Sequence, residues 1–241
     1  MVFAPGLEDE KNLWVDSVEY AWEIRGRFED QLYADTELWA HRQYSGPRGM
    51  GDNAFHWMWK LIVDEQEPDF RFLEIGVFKG QVPSLIRFLA DRTGRKADIY
   101  GVTMLSSFGG KNTTHPEGDY LAAIKEMHDH FEQPMPTLIV GDSTSDVVHE
   151  RVKLLGLLDI VYVDGCHDYD YVAQDLVFYA PLVRTGGYLV TDDSACNLKQ
   201  PWGFFQGIQD VTRAVLTFIA TDPHWEHVFT VCHNRVWRKV E

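Results

Sequence analysis

The chain has 241 residues, 45% of them hydrophobic and 24% charged, with 22 Lys and Arg against 37 Asp and Glu. That length and apolar content exclude a disordered chain and allow one large domain or two small ones with a substantial core. The formal net charge of −15 repels phosphate backbones and anionic lipid surfaces, so neither a nucleic acid nor a membrane is expected as a partner. The apolar runs fall short of the roughly 20 residues of a bilayer span. Met1–Glu10 has no charged-then-apolar leader pattern. Cys166, Cys196 and Cys232 have no framework spacing, which suits a reducing, cytoplasmic setting.

Residues 1–69 read as a helical extension rich in Trp and charge. Trp14, Val18 and Trp22 recur every four residues, with Phe28, Tyr33 and Trp39 beyond. That pattern fits an amphipathic helix packed on a sheet or on a second copy of the chain, and a homo-oligomer is expected. Arg48–Asp52 then leads through Gly49 and Gly51 into an aromatic helix, Asn53–Lys60. Glycines beside aromatics, with Met50 and Trp57 among them, suit a lid over a bound ligand.

From residue 70 to 241, short apolar runs alternate with amphipathic segments. Phe72–Gly76, Asp98–Val102, Thr137–Val140, Asp159–Val163 and Gly187–Val190 read as strands. Helices are predicted between them over Pro83–Asp91, Asp119–Phe131, Val147–Leu155 and Tyr169–Tyr179. A last helix has apolar residues at Phe204, Ile208, Val211, Val215 and Phe218, and His227–Cys232 with Arg235–Val240 read as a hairpin around His233-Asn234. The expected fold is α/β, Rossmann-like and doubly wound, with a mostly parallel seven-stranded sheet and a C-terminal antiparallel hairpin. In such sheets ligands bind beyond the carboxyl ends of the strands.

The first strand runs into Glu74-Ile75-Gly76-Val77-Phe78-Lys79-Gly80. Gly76 permits a tight turn and a close ligand, and Gly80 close packing at the next helix. Phe78 stands where a dinucleotide fingerprint needs glycine, which disfavours NAD. The third strand ends in Gly141-Asp142-Ser143, a turn or a carboxylate–hydroxyl pair able to bind an adenine amino group.

The fourth strand runs into Asp164-Gly165-Cys166-His167 and the fifth into Thr191-Asp192-Asp193. Taken singly, Asp192 or Asp193 would serve as a cap or turn residue. Together with Asp164, three carboxylates at adjoining strand ends would repel one another unless a cation neutralised them. Oxygen donors select Mg²⁺, Mn²⁺ or Ca²⁺ over zinc. His167, in the same loop, has the chemistry of a general base. Cys166-His167 and Cys232-His233 match no recurring zinc spacing, and no iron-binding pattern of two His and one carboxylate is evident.

On Phe72–Gly80, Val163–Tyr169 and Gly186–Asp193, the chain resembles the class I S-adenosylmethionine-dependent methyltransferases. The resemblance is closest to the metal-dependent O-methyltransferases of macrolide and rhamnosyl sugars, among whose relatives some are called cephalosporin hydroxylase-like. It implies S-adenosylmethionine as donor, with Glu74 and Gly76 at its methionine portion and Asp142 and Ser143 at its adenine. Gly80 and Asp164 complete that cofactor-binding set. Mg²⁺ (or Mn²⁺) is implied at Asp164, Asp192 and Asp193, with His167 deprotonating a hydroxyl of a small glycoside or other diol. Class I enzymes usually end the second strand in an acid that binds ribose; Tyr100–Met104 offers Thr103, with Ser106 beyond. A catechol acceptor, or a non-catalytic binding protein on the same fold, are the alternatives.

Overall fold

The computed structural model describes residues 18–106, 118–198 and 204–241, and the side chains from Tyr20 onward within them. Three helices come first, α1 (Val18–Ala34), α2 (Thr36–Ser45) and α3 (Ala54–Asp64). The alternating region follows as β1 (Asp69–Ile75), α4 (Gln81–Arg92), β2 (Lys96–Thr103), α5 (Tyr120–His130), β3 (Thr137–Val140), α6 (Asp146–Lys153), β4 (Leu158–Val163), α7 (Tyr169–Tyr179) and β5 (Val183–Thr191). The chain ends with α8 (Gln209–Phe218), β6 (Trp225–Val231) and β7 (Asn234–Lys239). Among the described residues no helix is long and apolar enough to cross a membrane.

The seven strands form one sheet in the order β3-β2-β1-β4-β5-β7-β6. β1 to β5 pair in parallel, and β7 runs antiparallel to both β5 and β6. The order reverses between β1 and β4, which opens a crevice at the strands' carboxyl ends. Alternate side chains divide between two cores. Phe70, Phe72, Ile160, Tyr162, Tyr188 and Val190 meet Ile24, Phe28, Trp59 and Leu85 of α1, α3 and α4. Leu73, Ile75, Val161, Val163 and Leu189 meet Val152, Leu176 and Val215 of α6, α7 and α8. Residues before 70 therefore share a core with the sheet. Trp59, for example, lies edge-on to Phe72 and Tyr162 at 5.7 and 5.1 Å.

Local chemistry sets the ends of these elements. The carboxylate of Asp35 accepts from Leu38 N at 3.0 Å, and that of Asp119 from Ala122 N at 2.9 Å, capping α2 and α5. Two predicted boundaries move. The last helix begins at Gln209, so Phe204 and Ile208 lie outside it: Gly207 sits at φ +87°, a conformation that breaks helical continuation. The hairpin turn is Cys232-His233, because Val231 pairs with Asn234, and Cys232 takes the left-handed conformation at φ 52°. Trp14 lies outside the described residues, while Trp22 packs edge-on against Phe204 at 4.6 Å.

Candidate active site

Strand parity builds the site. Glu74 continues the Phe70–Phe72 face of β1, Asp164 the Ile160–Tyr162 face of β4, and Asp192 the Tyr188–Val190 face of β5. The ladders align Glu74 with Tyr162 and Tyr162 with Val190. Three acids from three adjacent strands thus emerge on the side of the sheet that α1, α3 and α4 cover. Gly76 makes the close approach possible. At φ +101°, a Cβ there would stand 1.9 Å from the Asp164 carbonyl oxygen.

Two cavities meet at this point. A cleft open to solvent, with about 640 Å³ of empty space in and before it, lies over β1, β2 and β3, lined by Gly76, Thr103, Ser106, Tyr120, Asp142, Ser143, Asp164 and Tyr171. A wider, also solvent-open cavity, with about 1690 Å³ counted the same way, lies toward the N-terminal helices, lined by Glu74, Gly80, Asp164, His167, Asp192, Asp193 and His233. Asp164 and Phe78 border both. Met50, Gly51, Asp52 and Phe55 wall the wider cavity, as do Phe204 and Phe205, whereas Trp57 is buried in the core.

The acids are crowded. Burial, then the charges of Asp192, Asp193 and Glu74, pushes the Asp164 carboxyl well above the carboxylate range. Burial and Asp192 push Asp193 up in the same way. Glu74 rises to about 8, through burial first and Asp192 second. Burial, then the charges of Asp164, Asp192 and Glu74, raises the Tyr162 hydroxyl well above its ordinary range. His167 Nε2 stands 3.5 Å from Asp193 Oδ2 and 3.8 Å from Asp164 Oδ1. Three carboxylates so placed cannot all ionise unaided. Glu74 Oε2 is buried with no hydrogen-bond partner among the described residues. The donor set therefore fits a hard or borderline divalent cation.

His233 joins this group; in the sequence it stands in the expected hairpin turn and in a Cys-His pair, with nothing there to mark it as a ligand of this site. Its Nε2 lies 3.9 Å from Asp192 Oδ1 and 3.7 Å from Asp193 Oδ1. The pairing of β5 with β7 matches Thr191 with Arg235, which carries the hairpin turn to the end of β5. Ser194 N donates to His233 O at 2.8 Å, and the buried Arg235 guanidinium donates to Ser194 O and to Asn197 Oδ1. Asp193 itself is left-handed at φ 53°, and Ile208 N holds its carbonyl at 2.8 Å. The hairpin turn that leads into the last strand, β7, was the readable signal.

The remaining predicted residues divide between the cavities. Gly76, Thr103, Ser106, Asp142, Ser143 and Asp164 share the smaller cleft, while Glu74 and Gly80 open on the wider one. The Thr103 hydroxyl is committed locally, donating to Val77 O at 2.9 Å and accepting from Leu105 N at 3.0 Å. Asp142 is both a turn residue, accepting from Thr144 N and Oγ1 at 2.9 Å each, and a wall of the cleft. Ser143 is braced from behind by Tyr179, whose hydroxyl donates to its carbonyl at 2.8 Å.

A family model described as a methyltransferase domain matches residues 73–194. No curated protein sequence matches the chain. Among solved structures, the SAH-bound methyltransferase PaMTH1 of Podospora anserina is similar over 85% of this chain and 88% of its own, with TM-score 0.58 and 19% identity. MycE of the mycinamycin pathway, solved with Mg and SAH, is similar over 85% of this chain and 54% of its own, with TM-score 0.52 and 20% identity. CalS11, a TDP-rhamnose 3′-O-methyltransferase of calicheamicin biosynthesis, is similar over 84% and 78%, with TM-score 0.50 and 16% identity. At these identities the likeness is one of fold.

Proposed function

The chain belongs to the methyltransferase-domain family; we propose that it takes its methyl group from S-adenosylmethionine and that its acceptor is a hydroxyl on the sugar of a small natural product, with Mg²⁺ or Mn²⁺ at the acid cluster. The observation that carries this reading is the meeting of two cavities at Asp164, with Asp192, Asp193 and His167 opening only on the wider one. The Mg in MycE and the sugar substrate in the name of CalS11 support it.

When bound, the donor supplies an electrophilic sulfonium methyl. The smaller cleft would hold it, with the backbone at Gly76 approached closely and Asp142 and Ser143 at the adenine end. Asp164, Asp192 and Asp193 would hold the cation, which when bound orients a diol and acidifies its hydroxyl. His167 Nε2 takes the hydroxyl proton, and the carboxylates of Asp193 and Asp164 beside it stabilise the resulting imidazolium. Phe55, Phe78, Phe204 and Phe205 cover the acceptor and exclude water, the segment Gly49–Phe55 acting as the lid. Holding acceptor and methyl in line supplies much of the rate.

A phenolic acceptor is the second reading, favoured by the same aromatic walls. Incubating the protein with S-adenosylmethionine, a divalent ion and a panel of glycosides and catechols separates the two by which class gains a methyl group in mass spectrometry. Asp192→Asn is expected to abolish turnover while leaving donor binding largely intact. Full activity after exhaustive chelation would overturn the metal assignment. Donor binding with no transfer to either class would point to a binding protein instead.

A further inference from the structure

We propose that His233 is a direct ligand of the cation at this site, and that the site therefore selects a first-row transition ion such as Mn²⁺ over Mg²⁺. The inference rests on the reading above that Asp192 and Asp193 hold a metal, and adds a ligand from the β6–β7 hairpin.

The geometry carries it. Asp192, Asp193 and His233 each offer one ligand atom, all within 4.8 Å of one another. The Nε2 distances of 3.9 and 3.7 Å to the two carboxylates are too long for hydrogen bonds. They fall between the roughly 3 Å that separates neighbouring ligands and the roughly 4.2 Å that separates opposite ones around one centre with metal–ligand bonds of about 2.1 Å, so a small inward shift of the three side chains brings them onto one ion. The two histidines divide the site between them. His233 faces Oδ1 of Asp193 and Oδ1 of Asp192, whereas His167 faces Oδ2 of Asp193 and Asp164. His167 is thus left on the side of Asp164, where the two cavities meet.

The imidazole is also held in place. Phe55 and Phe205 meet its ring edge-on at 4.8 and 5.0 Å, and Ser194 N fixes its carbonyl. Its own fractional exposure is 8%. A separate observation points to a cation here. Glu74, 4% exposed, opens on the same cavity beside Asp192 with Oε2 lacking any hydrogen-bond donor among the described residues. An all-oxygen site suits Mg²⁺; an added imidazole nitrogen shifts preference toward Mn²⁺ and its heavier neighbours.

The test uses Mn²⁺ itself as the probe on the full chain. Pulsed electron paramagnetic resonance is expected to show ¹⁴N modulation from a coordinated imidazole, kept in His167→Asn and lost in His233→Gln. Calorimetric titration is expected to give Mn²⁺ an affinity at least about 10-fold above Mg²⁺, with the preference largely lost in His233→Gln. The wild-type spectrum needs no variant to fold. Bound Mn²⁺ without ¹⁴N modulation, or modulation that follows His167 instead, overturns the proposal and leaves the carboxylate site standing. No Mn²⁺ binding by the wild type overturns both.

Discussion

At Gly76 the backbone does what no other residue could. Its φ of +101° is the left-handed region, and the space where a Cβ would sit is taken by Asp164 O. Gly76→Ala is expected to cost about 1–3 kcal/mol from backbone conformation alone, and more from the clash. Denaturant unfolding and SAH titration should both register it; unchanged SAH affinity would contradict the assignment of this cleft to the donor. Glu74 shows how far a residue's place was readable. Its position at the end of a buried strand follows from the sequence, and its side of the sheet follows from the alternation Phe70, Phe72, Glu74. That Asp192 lies beside it does not, since the neighbour of β1 is decided by pairing.

At the scale of elements, the β6–β7 hairpin matters most. Its two runs were visible as alternating apolar segments, but the turn falls one residue earlier than expected, at Cys232-His233. The register of β6 with β7 decides this, since Val231 pairs with Asn234. His233 stays in the turn, now as its second residue, beside Asp193. Arg235, 1% exposed, secures the corner through Ser194 O and Asn197 Oδ1. Arg235→Met is expected to lose on the order of 3 kcal/mol of stability, as charged hydrogen bonds to buried acceptors are broken, and to weaken cation binding with it. Unaltered cation affinity in a folded Arg235→Met protein would show that the hairpin does not support the site. The start of α8 teaches the same lesson. Phe204 kept the helical period, yet Gly207 carries the chain past the Asp193 carbonyl, where a Cβ would meet it at 2.6 Å.

Across the whole molecule, burying acids and histidines together links folding to protons. Burial lowers His41 and His227 to about 3 and His128 to about 4, so these rings are neutral in the fold and their contribution falls away only below pH 6.5. Glu74 is raised to about 8. The folded chain then holds a proton that the unfolded chain has released above its ordinary value near 4.5, and stability falls as pH rises through that window. Between pH 6.5 and 8 the histidines no longer offset this trend. Asp164 and Asp193, raised in the same cluster, act in the same direction. In the presence of chelator, the stability of the protein is expected to fall there by at least about 1–2 kcal/mol. Urea midpoints measured against pH should show that fall, reduced by Glu74→Gln and flattened by a saturating divalent ion. A midpoint that climbs over the same range would contradict the burial of an unneutralised carboxyl cluster.

Sequence alone determined the alternation of strands and helices, the seven-stranded sheet, and the acids and histidine that follow strands four and five. These are legible because hydrophobic periodicity and strand-end loops are local properties of the chain. Which residues share a cavity was decided only by tertiary structure. Parallel pairing set Asp164 beside Asp192, strand parity and helix packing opened Glu74 and Gly80 on the wider cavity, and antiparallel register brought His233 some forty residues back to Asp192 and Asp193. Such contacts depend on hydrogen-bond register between distant segments, and no local pattern encodes register.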